Sequence, residues 1–186
     1  MSGLLNTIKN QNTTIDVARL DENFEYLYGR DKILQVVQTV KTDTFSMTGL
    51  TWTDITGFTV NITPIFATSK ILIMGHINIG CNTFNAYTKL VRNATDIYIG
   101  DVASTRPRVT GAFGLYSAGN EIYGTANLPF MYLDSPATST LIQYKMQLRQ
   151  YSAGNLAYVN RTHADRDTAD YDPRIASSIM VMEVAV

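Results

Sequence analysis

The segment at residues 69–81, SKILIMGHINIGC, constrains the fold more than any other part of the chain. Four isoleucines share one face of this segment if it is extended: Ile71, Ile73, Ile77 and Ile79. The opposite face changes from apolar to polar along the chain: Leu72, Met74, His76 and Asn78. Because side chains alternate between the two faces of a strand, this pattern predicts a β-strand with one fully apolar face.

The second face of that strand has two interpretations. Leu72 and Met74 are covered either by a neighbouring copy of the chain or by the chain's own helix or loops. His76 then has a structural role or lies at a subunit contact.

The composition excludes several classes of protein. The 186 residues carry a net charge of −1, which gives no basic footprint for nucleic acid or a membrane surface. No apolar run reaches the length of a membrane span, and no signal-peptide pattern is expected at the N-terminus. With one cysteine, Cys81, no disulfide forms within the chain, and we expect a buried small apolar residue there.

The sequence of residues 31–186 predicts an all-β domain of eight to ten strands with short connections. This pattern is typical of an antiparallel β-sandwich, and of a jelly roll in particular. Residues 128–133 are apolar on both faces and predict a central strand. Residues 178–186 form an apolar strand at the terminus, which must be paired inside a sheet because it would aggregate if exposed.

Residues 1–30 form a separate N-terminal segment with one short helix predicted at residues 16–28. Asp16 is placed to cap this helix and Gly29 to end it. Its apolar positions have the spacing of an oligomer seam: Val17, Leu20, Phe24 and Leu27. The helix is too short to be stable alone, so it packs on its own domain, on other copies or on a larger assembly.

Two loops are candidates for binding. One contains four carboxylates: Asp165, Asp167, Asp170 and Asp172. Oxygen-rich loops bind calcium, but three nearby arginines favour a solvated loop with internal Arg–Asp pairs: Arg161, Arg166 and Arg174.

The other loop places Arg106 and Arg108 on either side of Pro107, with Phe113, Tyr116 and Tyr123 further along. On loops, aromatic rings bind sugars by stacking, and arginine side chains bind them by forked hydrogen bonds. Arg106, Arg108 and Tyr116 are therefore candidate glycan contacts. In the alternative, the arginines pair with Asp101 or Glu121 and the aromatic residues are core.

No catalytic, cofactor-binding or metal-binding residues are predicted. His76 and His163 are the only histidines, and no nucleophile, zinc or phosphate-binding motif accompanies them. The chain is therefore expected not to be an enzyme. Paired carboxylates for glycoside cleavage, about 5–9 Å apart in a deep groove, are the one enzymatic alternative left open.

Several segments, taken together and in order, resemble phage virion fibre-type proteins: KILQVV at residues 32–37, ITP at 62–64, SKILI at 69–73, LVR at 90–92, YLDSP at 132–136, YKMQLR at 144–149, VNR at 159–161 and SSIMVMEVAV at 177–186. The resemblance covers residues 31–186 and is to tail-fibre or head-fibre β-sandwich domains common in phages of marine bacteria and cyanobacteria.

This resemblance implies a non-enzymatic, homotrimeric β-sandwich located on the virion as a fibre, decoration or host-contact component. Residues 1–30 would attach the chain to other virion proteins, and a host surface glycan is a possible further partner. Because no shaft precedes the domain, a small protein seated directly on the capsid or tail is favoured over a full-length tail fibre.

Overall fold

A computed structural model describes residues 32–82, 85–114 and 121–186. Ile33–Val186 form one compact unit. The helix predicted at residues 16–28, with its seam residues Val17, Leu20, Phe24 and Leu27, lies outside the described residues, and so does Tyr116.

The described part of the chain contains eleven strands joined by turns and loops, and a short 3-10 turn at Glu121–Tyr123. In chain order they are β1 (Ile33–Lys41), β2 (Phe45–Thr48), β3 (Thr53–Ile62), β4 (Lys70–Cys81), β5 (Asn85–Arg92), β6 (Thr95–Ile97), β7 (Gly111–Gly114), β8 (Thr125–Asp134), β9 (Ile142–Gln150), β10 (Leu156–Val159) and β11 (Ser177–Val184).

The strands form two antiparallel sheets that pack face to face. The six-stranded sheet has the order β1-β11-β4-β10-β2, with β8 paired to the other edge of β4. The five-stranded sheet has the order β3-β9-β5-β6, with β7 also paired to β5. The antiparallel β-sandwich predicted from the sequence is confirmed.

The strand order is that of a jelly roll. Strands from the first half of the chain pair with strands from the second half in a nested sequence: β1 with β11, β3 with β9, β4 with β8, and β5 with β6 and β7. These pairs alternate between the two sheets, and the short β2–β10 pair is an addition to the six-stranded sheet, so the chain folds as one long hairpin wrapped around the core.

β4 is the central strand of the six-stranded sheet. It pairs with β11 over Lys70–His76, with β10 over Ile79–Cys81 and with β8 over Ile71–Gly80. The four isoleucines at alternate positions are fully buried between the sheets: Ile71, Ile73, Ile77 and Ile79. The apolar face that the sequence predicts for this segment is confirmed, and Cys81 is buried in the same core.

Two strands test the sequence predictions in opposite directions. β11 is paired on both sides, between β1 and β4, as its apolar sequence requires. The prediction of a central strand at residues 128–133 is wrong for the part of the chain that the structure describes, because β8 pairs there only with β4 and is an edge strand. Pro129 fits that position, since an edge strand tolerates the missing N–H. On its second face, Met131 and Leu133 are 64% and 47% exposed to solvent among the described residues.

Candidate functional site

The outer face of the six-stranded sheet carries a largely apolar surface, in which only Gln38, Ser178 and His76 are polar among the outward side chains of the three rows described next. Strand register aligns its outward side chains in three rows that cross β1, β11, β4 and β8. The rows are Val36–Met182–Leu72–Leu133, Gln38–Met180–Met74–Met131 and Val40–Ser178–His76–Pro129. We refer to these residues as the outer apolar face.

None of the outer apolar face's side chains is Asp, Glu, Lys or Arg. Its two margins are well exposed, with Val36 at 53%, Val40 at 55% and Met131 at 64% of their full accessible surface. Soluble proteins rarely leave a contiguous apolar area of this kind facing water unless it meets a partner. Four methionines lie within it, and their flexible thioether side chains adapt readily to an opposing surface.

A shallow groove of about 370 Å³ runs across the middle of the outer apolar face. Its lining is Gln38, Met74, Gly75, His76, Phe130, Met131, Ser178 and Met180. The lining includes no carboxylate, so this groove lacks the acid pair that glycoside cleavage requires.

The chain's own loop covers one end of the outer surface of the six-stranded sheet. The loop at residues 160–176 passes over the end of β4, where a side chain at Gly80 would lie 2.4 Å from the Arg161 carbonyl. The Asn78 side chain donates to the Ala176 carbonyl at 2.6 Å. The interpretation of cover by the chain's own loops therefore holds at Asn78 and Gly80. Within the described residues it does not extend to Leu72 and Met74, which remain half-buried.

His76 marks the boundary between the covered and the open part. Its Nε2 lies 3.2 Å from the Ala176 carbonyl, and its Nδ1 lies 3.4 Å from the Ser178 hydroxyl. Both contacts orient the ring on the outer face, which agrees with a structural or contact role.

The structure places Arg106 and Arg108 on an exposed loop between β6 and β7. The Gly100 amide donates to the Val109 carbonyl at 3.2 Å and closes this loop, and Arg108 Nε donates to the Gly100 carbonyl at 2.7 Å. Neither arginine forms an ion pair within the described residues, so the predicted pairing with Asp101 is absent there. The side chain of Glu121, the other predicted partner, lies outside the described residues.

The aromatic residues named with these arginines have separate locations. Phe113 is buried in the core, while Tyr123 lies at the 3-10 turn with the Arg166 guanidinium 4.5 Å from its ring. Of the three candidate glycan contacts, the structure describes Arg106 and Arg108 only, and both have exposed side chains.

The acidic loop contains the internal Arg–Asp pairs that the sequence favours. Asp165 lies between two cations, with Arg161 Nη1 at 2.7 Å and Arg174 Nη1 at 2.5 Å. The Thr162 hydroxyl and Arg166 Nε each donate to Asp172 at 2.6 Å, and these hydrogen bonds hold the pKa of Asp172 below its ordinary 3.8. Arg166 also lies 4.6 Å from the Tyr171 ring, between two aromatic side chains. These carboxylates are thus occupied by protein donors.

His163 belongs to the same loop and anchors it to the sheet. Its Nδ1 lies 2.8 Å from the Tyr158 hydroxyl, and the Arg161 guanidinium lies 4.1 Å from the Tyr158 ring. Burial, with the nearby Arg161 charge, lowers the pKa of His163, so the ring is favoured in its neutral form.

One cluster on the five-stranded sheet has no counterpart among the sequence predictions. The Trp52 ring lies 4.5 Å from Lys89 Nζ and 5.2 Å from the Arg149 guanidinium, which is also 5.5 Å from the Tyr87 ring. The single tryptophan of the sequence was a possible signal, but its cationic neighbours are on other strands and become adjacent only in the fold.

Comparisons with known proteins give a limited result. The chain matches no protein-family model, and no curated protein matches it. Its fold is similar to structures of infectious bursal disease virus: the Gx strain at 15% identity and the VP2 subviral particle at 13%, both with a TM-score of 0.39. They cover 82% and 81% of this chain, which spans only 38% and 42% of the length of those viral chains.

Among the residues that the structure describes, no helix has the length and apolar character needed to cross a bilayer. The same residues contain no cluster of three His, Cys, Asp or Glu side chains arranged as a metal site.

Proposed function

We propose that this chain is a non-enzymatic structural protein of a phage virion. It would act as a homotrimeric fibre, decoration or host-contact component on the capsid or tail surface. Residues 1–30 would attach it to other virion proteins, and the β-sandwich would project outward.

The ordered resemblance over residues 31–186 carries this proposal. In the fold, its segments fall on the framework of the sandwich: on β1, across the turn from β3 to β4, and on β5, β8, β9, β10 and β11. The resemblance therefore follows the strands that define the jelly roll. It also follows the strands that form the outer apolar face.

Particle incorporation tests the proposal. The full chain, supplied with a tag to an infection that lacks it, should be found in purified virions, and a chain without residues 1–30 should be absent from them. Circular dichroism on the purified truncated chain must show that it is folded. If the folded truncated chain enters particles as well as the full chain does, the assignment of residues 1–30 as the anchor is wrong. If neither chain enters particles, the virion role itself is wrong.

A second candidate function, host glycan binding, is favoured by one observation. Arg106 and Arg108 are both exposed on the β6–β7 loop without an ion-pair partner among the described residues. Exposed guanidinium groups suit an acidic or polyhydroxylated ligand, because each presents a fork of N–H donors.

A glycan array and a host-cell pull-down test this second function. Wild-type chain should bind, and an Arg106→Ala/Arg108→Ala variant should lose binding while keeping the wild-type unfolding temperature. Arg174→Ala serves as a control, because it removes an exposed arginine from another loop. Absence of binding by the wild type, or equal binding by the double variant, would remove this function.

A further inference from the structure

We infer that Arg149, which lies between the rings of Trp52 and Tyr87 on the outer surface of the five-stranded sheet, binds the anionic group of an acidic saccharide. That group would be a carboxylate or a sulfate. The site uses other residues than the Arg106 and Arg108 loop, and the inference does not depend on the proposed virion role.

Strand register brings the three side chains together. Arg149 of β9 lies directly opposite Tyr87 of β5. On the other side of Arg149, Trp52 directly precedes β3, whose first residue pairs with Leu148 of β9. The guanidinium carbon lies 5.2 Å from the centre of the Trp52 ring and 5.5 Å from that of the Tyr87 ring. Cation–π contacts with two rings therefore hold the guanidinium in place.

The neighbouring cations of the same surface are already neutralised. Lys145 of β9 pairs with Asp54 at 2.6 Å, and the Asp54 carboxylate also accepts a 2.8 Å hydrogen bond from Gln147 Nε2. Lys89 of β5 pairs with Asp96. Both carboxylates are thus occupied by protein donors, and neither competes for Arg149 within the described residues.

The donors of Arg149, by contrast, are not used by the described part of the chain. Arg149 forms no ion pair there, and its buried Nε has no hydrogen-bond acceptor. Buried donors in proteins nearly always have an acceptor, so this one marks an arginine that the fold itself does not satisfy. The side chain as a whole is only half-buried, so an anion can reach it. A planar guanidinium fork suits a carboxylate or a sulfate, because two N–H groups donate to two oxygens at once.

The two rings favour a saccharide over a free ion as the bearer of that anion. Trp52 and Tyr87 are half-buried, so part of each ring remains at the surface. Amphipathic rings of this kind provide an apolar area beside a polar group, which matches a sugar that carries one charged substituent. A nucleic acid is disfavoured, because neutralising its backbone requires several unpaired cations and this surface offers one.

Fluorescence of Trp52 tests the inference on the full chain. Trp52 is the single tryptophan of the sequence and contacts Arg149, so its emission reports on this site. Titration with galacturonate or with glucose 6-sulfate should change the emission and reach saturation, and the sugar that does so identifies the anionic group. Glucose, sodium acetate, sodium sulfate and thymidine monophosphate at the same concentrations should give a much smaller change.

Variants separate binding from a structural role of the arginine. Arg149→Lys keeps a cation beside the rings but loses the fork, so it should keep the wild-type circular dichroism spectrum and bind at least about tenfold more weakly. Arg149→Gln should not bind. Arg174→Gln is the control, because it removes one positive charge from an exposed side chain on another loop, and it should bind as wild type does. The Arg106→Ala/Arg108→Ala variant should also keep the fluorescence response.

Four outcomes would overturn the inference. The first is a wild-type chain whose emission responds to neither acidic sugar, and the second is an equal response to the free anions or to the nucleotide. The third is a folded Arg149→Lys variant that binds as tightly as wild type. The fourth is a response lost in the Arg106→Ala/Arg108→Ala variant but kept in Arg149→Gln, which would assign the saccharide to the β6–β7 loop instead.

Discussion

The hydroxyl of Tyr144 donates a 2.7 Å hydrogen bond to the carboxylate of Asp134, and this bond joins the two sheets of the sandwich. Tyr144 belongs to β9 of the five-stranded sheet, and Asp134 ends β8 of the six-stranded sheet. Arg92 Nη1 lies 2.8 Å from both oxygens of the same carboxylate. Burial, reinforced by this hydrogen bond and by the charge of Asp134, raises the pKa of Tyr144, so the hydroxyl remains a donor.

Replacing Asp134 with Asn should destabilise the fold by roughly 2–4 kcal/mol, because it removes the negative charge that faces a largely buried guanidinium. The Asp134 side chain is only 5% exposed, so water cannot take over the hydrogen bonds that are lost. Equilibrium unfolding in urea measures the change.

Asp54→Asn is the matched control for that prediction. Asp54 pairs with Lys145 at 2.6 Å but is 53% exposed, so its loss should cost about 1 kcal/mol or less. Equal losses of stability in the two variants would show that the Asp134 cluster is not an important link between the sheets.

The carboxylate of Glu183 should make stability dependent on pH. Glu183 is fully buried, and it accepts hydrogen bonds from Gln35 Nε2 at 2.6 Å and from the backbone amide of Ile65 at 2.8 Å. Burial alone would raise the pKa of Glu183, but these hydrogen bonds outweigh it and lower the pKa below its ordinary 4.5. A lowered folded-state pKa stabilises the fold above the ordinary value, and this contribution is lost as pH falls through the folded-state pKa.

Glu183→Gln should therefore be less stable than wild type near neutral pH, and the difference should shrink as the pH falls well below 4.5. Urea unfolding of both proteins across this range provides the measurement. A difference that is constant with pH, or that grows in acid, would contradict the assignment of these hydrogen bonds to the ionised carboxylate.

Calcium should not stabilise the chain through its acidic loop. Asp165 is paired with Arg161 and Arg174, and Asp172 with Arg166, so a cation would have to displace three guanidinium groups. We expect the same unfolding temperature by differential scanning calorimetry in excess calcium and in chelator. A clear rise of the unfolding temperature with calcium, absent in an Asp165→Asn variant, would show that the loop binds calcium after all.

The sequence was sufficient to predict the sheet faces, because period-two alternation is a local signal. The isoleucines from Ile71 to Ile79 point inward as that alternation requires. The edge position of β8 was missed for a related reason. An apolar second face indicates that some other part of a protein packs on the strand. The residues themselves, Met131 and Leu133, do not reveal whether that part is a strand, a loop or another chain. Strand order depends on pairings between distant segments, such as β1 with β11, which alternation does not encode.

Some of the candidate sites could be predicted from local sequence and others could not. The Arg–Asp pairs of the acidic loop were predictable because Arg161 and Asp165 are close in sequence. The outer apolar face was only partly visible, since Met74 was noted while its row neighbours Met180 and Met131 come from strands far along the chain. The cluster around Trp52 was not predictable beyond the tryptophan itself, because Lys89 and Arg149 reach the ring from two strands that are distant in sequence.

Gly75 should be intolerant of any side chain, even a methyl group. A Cβ there would lie 2.3 Å from the Ser178 backbone carbonyl and 2.7 Å from the tip of the Phe130 ring, so β11 would have to move and the ring would have to turn. Gly75→Ala should therefore destabilise the chain by at least about 2 kcal/mol. Gly100→Ala is the control, because nothing lies within 4 Å of its Cβ position, and it should change stability by less than about 0.5 kcal/mol. Urea unfolding of the two variants makes the comparison, and a Gly75→Ala chain as stable as wild type would contradict the close approach of the β11 backbone and the Phe130 ring to the centre of β4.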